Sequence, residues 1–466
     1  MSPFGFGPPE DNSNSGNNSG NNSGNNSGNG ENPENFDLNE MMRQMQSEFQ
    51  KIAPQFGFMN PATLFGGGGL GSAKGALPKE VIREVAKSFI QANGSQPIGA
   101  NDQAKCEEAF SIANTWLDQA TLFPMVTPDH AAISPLDWLN TTIEGWHSTF
   151  EPLAIGLTDA VSKLVEEATA AMQGESSETA ELAKAQLGPM SQVLRGFIGS
   201  MLATQMGQTI GALASASKGA HDAALPITAN TANNAGAKPS LLPQVLRKFG
   251  ADLEIPETEI AIFFALREAA MVRLFESNPW LVAYLKAAIA EYGKGIHIDL
   301  DAIQRQAEET MRNMEDAGQD FNPQNPESFT IALNNGLFTP EESPQQAAAL
   351  EKLETALALI DGWVEEVITL AAENRLPSLA ALSELLRRER VSNSPIQQLF
   401  KALFNLEVSP KRIREATFFW HEIRNKRDLE NRDRIWAGIL PTDKELLDPI
   451  AFLSSTEIPD DLSGLI

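Results

Sequence analysis

A single cysteine, Cys106, excludes an intrachain disulfide and any cluster of thiolate zinc ligands. It sits in a helical pattern with Phe110, Ile112 and Trp116, so a buried, inert thiol is expected. Histidine is nearly as scarce. Five occur in 466 residues, His130, His147, His221, His297 and His421, and none forms a His-x-His, His-x-x-His or His-x-x-x-His pair. The local pairing that anchors many zinc sites is therefore missing. Basic residues are outnumbered, 35 Lys and Arg against 61 Asp and Glu, for a formal charge of −26. That field repels phosphate backbones and argues against nucleic acid as a partner of the whole molecule. No basic segment followed by an apolar run opens the chain, so no secretory signal is predicted and a cytoplasmic location is expected. Long apolar runs are also lacking. Residues 197–217 carry no charge, but they include Ser200, Thr204, Gln205, Gln208, Thr209 and three glycines. This polarity predicts a packed helix of a water-soluble body and no membrane span. No P-loop, dinucleotide fingerprint or Ser-His-Asp order is found.

What is present divides the chain. Residues 11–35 are almost wholly Asn, Ser and Gly, with Gly-Asn-Asn-Ser in tandem from Gly16 to Ser27. Such a tract has nothing to bury against its ordering entropy, so residues 1–37 are expected to be a disordered tail. Leu38, Met41, Met42, Met45, Phe49 and Ile52 follow at helical spacing, which predicts a short amphipathic helix over 38–52. That helix could dock on its own body or on a protein or peptide partner. Residues 53–77, with Gly66 to Gly69, read as a flexible linker. From Pro78 the pattern is helical nearly throughout, giving a mainly α body over 78–455 and a short tail over 456–466. Residues 219–245 read as loop, and only Ile296 to Leu300 alternates like a strand.

Two segments offer charged chemistry. Residues 375–434 hold 13 Lys and Arg against 8 Asp and Glu, with Arg387, Arg388 and Arg390 close together. A basic region packed on an acidic body is the expected reading, and an anion site the alternative. The second segment is the helical run Phe264-Ala265-Leu266-Arg267-Glu268-Ala269-Ala270-Met271. Taken alone, Arg267 and Glu268 are an ordinary charge pair. His421-Glu422 with Asn425 is a decoy, since one histidine and an asparagine make no zinc site. His221 reads as a loop histidine with no neighbouring ligand.

The run from Leu266 to Phe275, followed by Asn278-Pro279-Trp280-Leu281, resembles the ligand helix of the actinobacterial zincin-like metallopeptidase family, whose members are often labelled zinc-dependent metalloproteases or hydrolases. Asp137-Trp138 with Trp146, Gln205-Met206-Gly207-Gln208, Leu359-Ile360-Asp361-Gly362-Trp363, Leu385-Leu386-Arg387-Arg388 and Arg432-Asp433-Arg434-Ile435-Trp436 resemble its other segments. The resemblance implies a large zincin-like helical body. It matches Glu268 to the catalytic base, Arg267 and Met271 to the two histidine ligands, and Asp361 to the third ligand. An arginine offers a metal no lone pair, and a thioether is a poor Zn²⁺ ligand beside imidazole. The expectation is a pseudoenzyme that binds no zinc and acts as a binding or scaffold protein. Arg267, Glu268 and Asp361 are predicted to form a buried ion-pair cluster, with Met271 filling the remaining volume. The competing expectation is an active zinc peptidase or hydrolase with non-standard ligands, in which Glu268 is catalytic.

Overall fold

The computed structural model describes residues 76–456, apart from 127–128, 173–176, 224, 226–237, 297–342, 394, 405–407, 409–411 and 439. All of them fall in the second of the chain's two units, Ala53–Ile466. The expected tail, the 38–52 helix, the glycine linker and nearly all of the C-terminal tail lie outside the described residues.

The body is helical, as the periodicity predicts. Its helices are α1 (Lys79–Ala92), α2 (Ala100–Leu117), α3 (Pro135–Met172), α4 (Ser177–Ala214), α5 (Pro243–Gly250), α6 (Glu257–Ser277), α7 (Trp280–Lys294), α8 (Pro344–Ala372), α9 (Leu379–Asn393), α10 (Pro395–Phe404), α11 (Ile413–Lys426), α12 (Leu429–Arg434) and α13 (Pro449–Thr456). Several boundaries follow from local chemistry. Ser134 and Asp137 exchange side-chain and backbone hydrogen bonds at the start of α3. Ser343 and Gln346 form the equivalent capping box ahead of α8. Gly94, with φ 79°, turns the chain after α1.

Glycine permits the close approach of α1 and α4. A Cβ on Gly207 would lie 2.7 Å from the Val85 Cβ, inside contact distance. The uncharged 198–214 stretch buries Ile198, Leu202, Ala203, Met206, Ile210, Leu213 and Ala214 in the core. Among the described residues no helix is long and apolar enough to cross a membrane.

Ser240–Leu241 (β2) pairs in parallel with Ala131–Ala132 (β1), and Gly219 bridges antiparallel to Leu241. Helix α5 begins at Pro243, inside the expected loop. Of the predicted strand, residues 297–300 lie outside the described residues. Two-residue strands carry no alternation from which they could be read.

Helix α6 packs against α2, α5 and α8, and α8 in turn against α7 and α11. From Phe263 to Phe275 every residue of α6 is buried, including Arg267, Glu268 and Arg273. A helix buried on all sides must supply partners for each of its charges. Arg273 donates to the backbone oxygens of Phe123 and Asn114 and to the Asn114 side chain, and pairs with Asp118 at 2.8 Å. Arg267 and Glu268 find theirs at the candidate site.

Candidate functional site

Four elements converge on the middle of α6: the turn after α4 (residues 217–223), β2, α8 and the end of α9. Arg267 reaches across to α8, where its Nη2 donates to Asp361 Oδ1 at 3.0 Å. The same oxygen accepts from Arg390 of α9. Arg390 also donates to the Asp222 backbone oxygen at 3.1 Å and to its carboxylate at 3.2 Å. The predicted contact between Arg267 and Asp361 is therefore present, and Met271 lines the small space beside it.

Glu268 does not join this cluster, contrary to expectation. One of its carboxylate oxygens accepts from the His221 backbone N–H at 2.9 Å. The other meets His221 Nδ1 at 2.8 Å and the Ser240 N–H at 3.1 Å. The backbone comes close enough because residue 219 is glycine: a Cβ there would lie 2.4 Å from Glu268 Oε2. The 218–220 segment runs beside β2, with the Ala220 N–H donating to Ser240 O and the Leu242 N–H to Lys218 O. The strand bridge thus delivers both backbone donors to Glu268. His221, read as a loop histidine without a neighbour, is instead buried against this carboxylate. Its partner lies 47 residues away, a separation that no local motif encodes.

The electrostatics follow from burial. Desolvation and the nearby Arg390 lower the Arg267 guanidinium to about 10, outweighing Asp361 and Asp222. Burial opposes charge on Arg390 too, but Asp361 and Asp222 together raise it above the ordinary arginine value. Asp222 is also strongly desolvated, yet Lys218, Arg390 and the Lys218 N–H hold it below the usual carboxylate range.

Arg390 was legible only as one of three clustered arginines, which the structure sorts. Arg387 and Arg388 pair with Glu384, and Arg387 also with Glu365, in partly exposed contacts. Arg390 continues the buried Leu382 and Leu386 stripe by one more helical step and points inward. Of the other basic residues in that region, Arg424 pairs with the buried Glu366. His421, the decoy, contacts Glu366, Arg424 and Asn425.

The donor set does not fit a zinc ion. Arg267, matched by resemblance to a ligand position, has no lone pair. Asp361, matched by resemblance to the third ligand, has an oxygen that already accepts from two guanidiniums. The cavity among Gly219, His221, Asp222, Phe264, Glu268 and Arg390 holds about 10 Å³, room for about one water. Among the described residues no group of three His, Cys, Asp or Glu side chains is placed to hold a metal.

Comparison with known proteins agrees on the frame. Residues 79–453 match the family described as zincin-like metallopeptidase. No curated protein matches the chain. A crystal structure from Chloroflexus aurantiacus, provisionally assigned as a hydrolase with a novel fold, superimposes with a TM-score of 0.53 at 15% identity. That likeness covers 82% of this chain and 100% of the other, and it concerns the fold alone.

Proposed function

Because the chain belongs to the zincin-like metallopeptidase family, we propose that it keeps the family's helical frame without its metal chemistry, and acts as a binding or scaffold protein. One observation carries this reading: the carboxylate at the third ligand position, Asp361, is bound by Arg267 from the first ligand position and by Arg390. A guanidinium that is charged at neutral pH repels a dication and cannot ligate one. Glu268, matched to the base that would polarise a metal-bound water, has both oxygens engaged by fixed donors.

The competing reading, an active zinc-dependent peptidase or hydrolase with non-standard ligands, has His221 in its favour, an imidazole within the site. Metal analysis of the purified full-length protein separates the two. The expected result is far less than one zinc per chain and no chelator-sensitive peptide hydrolysis. One tightly held zinc per chain, lost in Glu268→Gln or Asp361→Asn together with hydrolysis, overturns the proposal.

A further inference from the structure

A space of about 10 Å³ at the Arg267 cluster admits no ligand beyond a water, so a binding role needs another location. The other side of β2 offers one. Ser240 gives its backbone N–H to Glu268, while the next residue, Leu241, lines a cavity of about 330 Å³ between α2, α5 and the first turns of α6. This volume lies in the range of small-molecule sites. Its walls are mainly apolar: Ala109 and Ile112 from α2, Leu246 from α5, and Ile260, Ala261 and Ile262 from α6.

Charge is confined to five residues of the lining. Asp102 is bound by Arg247 at 2.6 Å and by the Gly99 N–H. Glu257 is paired with Lys105 at 3.1 Å. Glu108 also lines the cavity, and among the described residues no cation stands within ion-pair distance of it. Two of the three carboxylates are thus neutralised by the two cations, and one negative charge is left beside an apolar wall. The formal charge of −26 on the chain adds a field that favours cations over anions at this acidic mouth.

We propose that this cavity binds a small cationic amphiphile, with its apolar body against Ala109, Ile112 and Ala261 and an ammonium group at Glu108. The inference deepens the binding-protein reading and rests on it for biological meaning. Its test is separate, since neither zinc content nor hydrolysis enters it.

The full-length protein is titrated by calorimetry with decylammonium, decanol and decanoate, each below its micelle concentration. Decylammonium is expected to bind at one site per chain, about 5- to 10-fold more tightly than decanol at low salt, with decanoate weaker than both. Apolar burial predicts a negative heat-capacity change. Ala261→Phe fills the cavity and abolishes binding. If that variant fails to melt cooperatively, Ile112→Lys tests the same wall by placing a cation on it, with loss of decylammonium binding expected. Glu108→Gln changes an exposed residue and equalises decylammonium and decanol. No decylammonium binding to the unmodified protein, binding unaffected by the wall variants, or equal binding of decanoate overturns the proposal. A cation preference that survives in Glu108→Gln overturns the assignment of the head group.

Discussion

Helix α8 contributes to two buried charge networks that stand on different partners. In the first, Asp361 meets Arg267 and Arg390, and three contacts join side chains while two, at Asp222, involve backbone groups. In the second, Trp363 and Glu366 meet the C-terminal residues Asp433, Arg432 and Arg424. There Asp433 accepts from the Thr121 hydroxyl, the Leu122 N–H, the Trp363 indole and Arg432, while Arg432 donates to the Ala120 backbone oxygen. This network braces the backbone where α2 ends. The first mostly answers its own charges, at residues matched by resemblance to the family's metal-ligand positions. A buried charge that satisfies backbone groups is part of the frame. A buried charge satisfied only by another charge can be removed along with its partner.

The largest expected effect tests the C-terminal brace. Replacing its pair by apolar residues, Arg432→Met with Asp433→Leu, leaves the Leu122 N–H, the Ala120 carbonyl, Thr121 and the Trp363 indole without these partners. At about 1–3 kcal/mol for each buried group left unsatisfied, urea denaturation should show a loss on the order of 5 kcal/mol. A loss below about 1 kcal/mol would erase the distinction between the two networks.

Glu268 sharpens the comparison because it lies beside the first network yet behaves like the second, accepting from the N–H groups of His221 and Ser240. Glu268→Gln keeps the shape but sets an amide donor against one of those donors. The expected cost is about 1–3 kcal/mol in urea denaturation. An unchanged or raised stability would instead mark Glu268 as a residue held at the expense of the fold, as active-site groups often are.

The sequence makes the frame readable and the site only half so, for physical reasons. Helix periodicity, Pro78, the Ser134 to Asp137 cap and the Ser343 to Gln346 cap are local signals, and they place the helices well. The pairing of Arg267 with Asp361 was expected from the family resemblance, which sets two distant helices side by side. His221, Asp222 and Ser240 were not, because they reach α6 through a turn and a two-residue strand that carry no periodicity. Arg390 had a usable signal in its spacing from Leu382 and Leu386, but the neighbouring Arg387 and Arg388 made it read as surface charge.

The smallest effect belongs to Arg267→Met. Arg390 remains on Asp361 in this variant, so no buried carboxylate is stranded. The Arg267 guanidinium is itself a burden: burial and Arg390 lower it to about 10, below the ordinary arginine value. A base whose folded value lies below its unfolded value charges at a cost to the fold. That cost is fully present at neutral pH and lifts only as pH rises past about 10. Methionine removes the cost and keeps much of the volume, so urea denaturation at neutral pH should show a change within about 1 kcal/mol, or a gain. A loss of about 3 kcal/mol or more would mean that Arg267 braces the frame as Arg432 does, and that its pairing with Asp361 is as structural as the C-terminal network.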